Sequence, residues 1–132
     1  MYNVRAINES IATRTVELEN ELTGTLDLCF DDSAVVSDNN FEFMEIGKAY
    51  ECKIKLFGEF VNQEGECVVK TLIVNENICI GNINFVEVAV NSDIYYIPQS
   101  KMMSISGKDD LLFKVSRKDL IQVNSTIHED LF

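Results

Sequence analysis

Several residue types on which small proteins build catalytic sites are scarce or missing in this chain of 132 residues. It has a single histidine, His128, which lies between polar residues in the C-terminal tail. A Ser-His or Cys-His mechanism would depend on this one side chain, and so would most mixed-ligand metal sites. We interpret His128 as a solvated tail residue. The sequence therefore predicts no catalytic residue, no metal and no enzymatic activity.

Glycine and tryptophan are also in short supply. The six glycines form neither G-x-x-x-x-G-K-[ST] nor G-x-G-x-x-G, so no loop that cradles a phosphate is predicted. There is no tryptophan on which a sugar could stack, which counts against a glycosidase built on paired carboxylates. The segment from Asp31 to Glu42 resembles a calcium loop, but it lacks the order of ligands and the glycine of that motif. We predict no cofactor.

Long apolar runs and paired cysteines are absent as well. No run approaches the ~20 apolar residues of a membrane helix, and the first ten residues lack the apolar core of a signal peptide. We therefore expect a cytoplasmic protein with no membrane contact. The cysteines include no C-x-x-C pair, and each lies in an apolar, strand-like run, which predicts core thiols rather than a zinc site or disulfides. They are Cys29, Cys52, Cys67 and Cys79.

Positive charge is the scarcest property of all. Eleven Lys and Arg residues face 22 Asp and Glu residues, giving a net charge of −11. Between Arg14 and Lys48 there is no basic residue, although nine acidic ones occur there. Phosphate contacts dominate nucleic-acid affinity, so direct binding to DNA, RNA or an anionic membrane is disfavoured. The surface suits a cation or a basic protein, unless it serves only solubility.

What the sequence does contain is a series of short strands. The stretch Ala49–Ile97 holds four runs rich in Val, Ile, Tyr and Phe, separated by polar breaks at 62–65, 75–77 and 91–93. Such runs fit a pleated surface, while Asn, Asp and Gly favour tight turns. A further turn is predicted at 106–110. Short strands with near-regular turn signals indicate an antiparallel meander.

The predicted fold is one all-β domain, 1–132, with at most one short helix. It is either a small antiparallel barrel or a two-sheet sandwich, with about seven to nine strands judged from the turn spacing. The strand count also fits a barrel of the oligonucleotide-binding type, which is a likeness of architecture and not of sequence.

Individual strands differ in how they alternate. Leu26, Leu28 and Phe30 alternate with polar or small residues, which is the pattern of a half-buried strand. The phase breaks at Phe57-Gly58, where we expect a bulge or bend. The later runs carry apolar residues at both parities, as strands covered on both faces do. Five aromatic residues are interpreted as packing rather than as a stacking surface for bases: Tyr50, Phe57, Phe60, Tyr95 and Tyr96.

The leading hypothesis for function is non-catalytic binding of a basic protein. An acidic segment would speed the encounter and cover a surface that normally takes nucleic acid, as small acidic immunity proteins and phage anti-defence proteins do as a class. One alternative is a structural or assembly subunit that forms homo-oligomers through sheet edges, and another is a barrel that holds a small ligand. The predicted contact residues are Asp27, Asp31, Asp32, Asp38 and Glu42.

Overall fold

A computed structural model describes residues 1–104 and 110–132, and strands account for most of them. The described helical segments are the short α-helix α1, Ser33–Val36, and the 3₁₀ helices Gln99–Ser104 and Glu129–Leu131. The all-β prediction is confirmed. The strands are β1 Tyr2–Glu9, β2 Arg14–Asn20, β3 Leu26–Asp31, β4 Ala49–Tyr50, β5 Cys52–Val61, β6 Val68–Ile80, β7 Ile83–Val90, β8 Asp93–Pro98, β9 Asp110–Val123 and β10 Thr126–Ile127.

One sequence expectation falls outside the described residues, and another concerns membrane helices within them. The turn predicted at 106–110 falls mainly on residues 105–109, which lie outside the described part of the chain. Within the described residues, no helix is both long enough and apolar enough to cross a membrane.

Five strands close into a barrel in the order β9-β5-β8-β7-β6, and β6 pairs back to β9. The pairing of β5 with β8 is parallel, while the other neighbours in the ring are antiparallel. The remaining strands extend from β9 through β3 to β2, β1 and β4. β3 joins β9 in parallel at Phe30 and Asp119. Of the two predicted architectures, the structure is the barrel.

The core lies inside this ring and continues under β1, β2 and β3. Ile54, Leu56 and Phe113 from the ring belong to the same buried cluster as Val4 and Val16 from the first two strands. The inner space is therefore filled by side chains, which is how small barrels are stabilised.

A second, smaller cluster covers the outside of the ring, where Leu131 of the C-terminal segment packs against Phe85 and Ile121. Phe85 belongs to this outer cluster and its neighbour Val86 to the inner one. β7 is thus buried on both faces at this point, as its apolar residues at both parities predict. The same prediction is wrong for β6, where Leu72 and Val74 are 50% and 51% exposed.

The strand boundaries in the meander differ from expectation. The polar break predicted at 75–77 lies inside β6, where the pairing with β7 shifts register on either side of Asn75. The turn falls instead at Gly81-Asn82, inside what reads as one apolar run. Gly81 has φ +61°, and a Cβ there would lie 2.6 Å from the Leu131 carbonyl oxygen. A bulge on an exposed strand tolerates Asn and Glu, so these residues did not mark the turn.

The cysteine prediction is right for two residues and wrong for the other two. Cys29 is fully buried and Cys52 packs against the core. Cys67 and Cys79 are exposed. Cys67 occupies a turn with φ 59° before β6, and Cys79 lies at a solvent-facing position of that strand. An apolar neighbourhood in sequence does not decide which way a strand residue points.

The bulge predicted at Gly58 is confirmed. The pairing of β5 with β9 slips between Phe57 and Gly58, opposite Ser116. A Cβ on Gly58 would lie 1.9 Å from the carbonyl oxygen of Lys114. Because no real Cβ approaches an oxygen so closely, only glycine allows β5 and β9 to come this close at the bulge.

We expect Gly58→Ala to destabilise the protein by about 2 kcal/mol or more, because the strands must separate to admit the methyl group. Urea unfolding measures the change. Gly65→Ala is the matched control, since the nearest atom to a Cβ there is 3.8 Å away. Equal unfolding midpoints for the two variants would contradict the close approach.

Candidate functional site

The side chains of β3 point in the directions opposite to those that its hydrophobic pattern favours. Leu26 and Leu28 are 55% and 57% exposed, whereas Asp27 is 1% and Asp31 is 3% exposed. The antiparallel register with β2 places Asp31 opposite Arg14 and Asp27 opposite Leu18, on the inner face. The strand itself was predicted correctly, but its leucines point to solvent and two of its carboxylates point into the core.

Asp27 is held on the buried face of β3 by two donors from the barrel strands β8 and β9. The Tyr95 hydroxyl donates to Asp27 Oδ2 at 2.8 Å, and the Lys118 ammonium forms an ion pair with Asp27 Oδ1. Burial, followed by the negative charge of Asp27, raises the pKa of Tyr95 above its ordinary value. Tyr95 therefore serves as a hydrogen-bond donor to a buried carboxylate.

Asp31 forms the second buried ion pair and also fixes the chain that follows it. Arg14 Nε donates to Asp31 Oδ2 at 2.8 Å, and both side chains are more than nine-tenths buried. The other carboxylate oxygen accepts from the backbone N–H of Ser33 at 2.9 Å and from its hydroxyl at 2.6 Å. The Arg14 guanidinium also donates to the Phe41 carbonyl, and the Phe41 N–H donates to Ser33 Oγ.

These bonds anchor a segment, 33–46, that we call the anchored loop. Phe41 and Met44 are buried beneath it. Residues 41–46 of this segment form neither a helix nor a strand. The exposed side chains of the loop include Val35, Val36, Asp38, Glu42, Phe43 and Ile46. The loop thus exposes apolar and acidic groups, while hydrogen bonds to Arg14, Asp31 and Ser33 hold its backbone in place.

The five predicted contact residues therefore have three different environments. Asp27 and Asp31 lie inside the fold, where a partner cannot reach them. Asp32 is half-buried at the mouth of a cleft. Asp38 and Glu42 are exposed on the anchored loop, and neither takes part in an ion pair within the described residues. Partner contact by the last three residues stays a prediction.

An exposed apolar stripe runs along the outward face of β3 and across β9 to β5. We call it the outer stripe, and it consists of Leu26, Leu28, Phe30, Arg117 and Phe57. The Arg117 guanidinium lies 4.3 Å from the centroid of the Phe30 ring and 5.0 Å from that of Phe57. This is cation–π geometry, and it holds the two rings around one cation at the surface.

Asp119 fixes Arg117 from the same strand. Arg117 Nε and a terminal nitrogen donate to the two Asp119 oxygens at 2.5 and 3.2 Å. These hydrogen bonds, together with the nearby carboxylates, raise the pKa of Arg117. Lys55 lies 3.6 Å from the same carboxylate. The stripe therefore ends in a cluster of one carboxylate and two cations.

A cleft of about 290 Å³ adjoins the outer stripe at Phe30. Its charged lining consists of Asp32, Asp130 and the Lys55–Arg117–Asp119 cluster, together with His128. Its apolar lining comes from Ile83, Phe85, Pro98, Leu120, Ile121 and Leu131.

His128 is buried in the lining of this cleft, so its interpretation as a solvated tail residue is wrong. It is 5% exposed and begins the 3₁₀ helix Glu129–Leu131. Its Nδ1 accepts a hydrogen bond from the Asp130 backbone N–H at 3.1 Å. The proton therefore resides on Nε2, which donates to Asp32 Oδ1 at 2.6 Å. The acidic first turn after His128 was the available sequence signal for this helix start.

Asp32, His128 and Asp130 offer donor atoms that all lie within 4.8 Å of one another, a spacing compatible with a metal ion. A metal requires a free imidazole lone pair. Here the Nδ1 lone pair accepts from the backbone and Nε2 carries the proton. A general base would meet the same obstacle. The arrangement fastens the C-terminal segment to β3 and does not present a ready ligand set.

Comparison of this chain with protein-family models, with curated proteins and with solved structures gave no match. Its function is therefore inferred from the outer stripe, the anchored loop and the cleft.

Asp31→Asn should destabilise the protein by about 3–5 kcal/mol, because it leaves Arg14 buried without its counter-charge. Denaturant unfolding provides the measurement. Asp38→Asn makes the same chemical change at an exposed, unpaired position and should alter stability by less than about 0.5 kcal/mol. If both variants unfolded at the same denaturant concentration, Asp31 would not have the buried role assigned to it.

The cysteines should divide into two reactivity classes. Iodoacetamide should label Cys67 and Cys79 in the folded protein, and should label Cys29 and Cys52 only after unfolding, as peptide mass spectrometry can show. Burial raises the pKa of Cys52 from 9.0 to about 12. Because folding raises the pKa of Cys52, its protonated thiol contributes stability at pH values below the ordinary pKa of 9.0. That contribution is lost as the pH rises toward 12. Native labelling of Cys29 at neutral pH would contradict this division.

Proposed function

We propose that this protein is a non-catalytic binding module for a basic protein, which docks on the outer stripe and the anchored loop. The observation that carries the proposal is the orientation of β3. Its two exposed leucines and two buried aspartates reverse the arrangement that the hydrophobic effect favours. Natural proteins tolerate such local contradictions mainly where function requires them.

The composition of the outer stripe supports docking of a protein. Aromatic residues and arginine are enriched at the centres of protein interfaces, and exposed apolar patches with polar rims commonly mark such sites. The Phe30–Arg117–Phe57 stack is already ordered in the free protein, so little side-chain entropy is lost on binding. On β2, Glu17 and Glu19 lie directly across from the two exposed leucines and supply the polar rim.

Charge supports a basic partner. Most of the chain's cations are already held by its own carboxylates: Arg5 by Glu19, Arg14 by Asp31, Lys48 by Glu45, Lys118 by Asp27, and both Lys55 and Arg117 by Asp119. Asp38 and Glu42 have no such partner within the described residues and lie at the end of the chain's acidic segment. Such a surface speeds the encounter with a positive one.

The finer part of the proposal concerns what the partner does. A basic surface with apolar neighbours is typical of proteins that bind nucleic acid, and covering it would inhibit them. On this proposal the protein acts as a small acidic inhibitor in the cytoplasm. The alternatives have less structural support, since the closed ring pairs the strand edges of β5–β9 and side chains fill its interior.

Two double variants test the docking surface by quantitative pull-down. Leu26→Ser/Leu28→Ser should weaken capture of a basic partner at least tenfold, because it removes the apolar contact. Asp38→Asn/Glu42→Gln should weaken capture less and flatten its dependence on salt.

Matched controls carry the same changes elsewhere. Leu72→Ser/Val74→Ser alters exposed apolar residues of β6, and Glu64→Gln/Glu66→Gln alters exposed acids of the β5–β6 turn. Support requires an identified basic protein that both test variants lose and both controls retain. Equal loss in the controls, or capture of only the chain's own copies, would overturn the proposal.

A further inference from the structure

We propose that the cleft beside Phe30 is a binding site for one basic side chain, an arginine or lysine of the partner protein. Its head group would lie between Asp32 and Asp130, and its aliphatic stem against Ile83 and Leu131. This inference deepens the proposed function and rests on it for the identity of the ligand as part of a protein.

The carboxylates are placed for a cation. Oxygen atoms of Asp32 and Asp130 lie within 4.8 Å of each other, and the two side chains are 36% and 66% exposed. Two like charges at this distance repel, and a cation between them removes the repulsion. Asp32 accepts one hydrogen bond from His128, which fixes its orientation and leaves further lone pairs for a second donor.

The charge balance of the cleft selects a monocation. Lys55 and Arg117 contribute two positive charges, and Asp32, Asp119 and Asp130 contribute three negative ones. With His128 in the tautomer described above, one negative charge remains. A single ammonium or guanidinium group neutralises it. A divalent metal would leave the cleft positive, and an anion would increase its negative charge.

The shape of the cleft suits a long basic side chain better than a bare ion. A volume of about 290 Å³ exceeds what one head group fills, and much of the lining is apolar. Lysine and arginine bury their methylene stems along apolar surface while the charged end stays near water. Ile83, 39% exposed, is available for such contact. Phe30 belongs to both the outer stripe and the lining of the cleft, so a partner docked on the stripe lies next to the cleft.

NMR titration of the full chain with small probes tests the cleft without the partner. N-acetyl-arginine methylamide and N-acetyl-lysine methylamide should cause saturable shifts at the amides of Asp32, His128 and Leu131. We expect affinities in about the millimolar range, as suits one side chain. N-acetyl-glutamine methylamide, which lacks the charge, should cause none. Asp130→Asn and Ile83→Ala should each weaken binding of the cationic probes about fivefold or more, while Glu64→Gln, at an exposed position of the β5–β6 turn, should leave it unchanged.

Three results would overturn the inference. The shifts could be unsaturable and spread over all exposed carboxylates, or they could persist unchanged in Asp130→Asn. Zn²⁺ could also saturate the site with a large change in the His128 ring nitrogens, which would assign it to a metal.

A further comparison separates this inference from the proposed function. If the outer-stripe and anchored-loop variants lose the partner but Asp130→Asn retains it, the cleft inference is wrong and the proposed function stands. If the arginine probe binds saturably in the cleft but the pull-down captures no basic protein, the proposed function is wrong and the cleft remains a site for a basic group.

Discussion

The surface of this protein depends on two ion pairs that involve β3. Arg14 pairs with Asp31, and Lys118 pairs in the same way with the buried Asp27. A one-residue shift of β3 against β2 would turn its leucines inward and its aspartates outward, as the hydrophobic pattern favours. The buried Arg14 and the half-buried Lys118, which pair with the two aspartates, work against that shift. Buried ion pairs seldom add stability over an apolar core, but breaking one is costly. Here we infer that they specify the orientation of a strand.

This role explains why part of the fold could be predicted from sequence and part could not. The all-β class, the bulge at Gly58 and the two-sided burial of β7 follow from local patterns of apolar residues and glycine. The orientation of β3 follows from partners 17 and 91 positions away in the chain. Residue alternation carries no information about such partners. The same limit applies to Cys67 and Cys79, whose exposure depends on a turn and on the face of β6.

The candidate site shows the same division. The acidic segment contains Asp38 and Glu42, which lie exposed on the anchored loop, and their contact with a partner stays a prediction. The sequence could not show that Asp27 and Asp31 are internal, nor that His128 would fold back onto Asp32, 96 positions earlier. The cleft is assembled from β3, β5, β7, β8, β9 and the C-terminal segment, so its residues share no spacing that a motif could describe.

The pairing of β9 also determines the order in which the protein can fold during synthesis. β9 contacts β3, β5 and β6, which all precede it in the chain, and it closes the ring. Until residues 110–123 have left the ribosome, one edge of β5 and one edge of β6 have no partner from β9, and Lys118 cannot reach Asp27. The nascent chain therefore carries open strand edges and an unpaired Asp27 until β9 has been synthesised. Closure of the ring must follow the synthesis of β9, and it is a long-range pairing of the kind that slows the folding of β proteins.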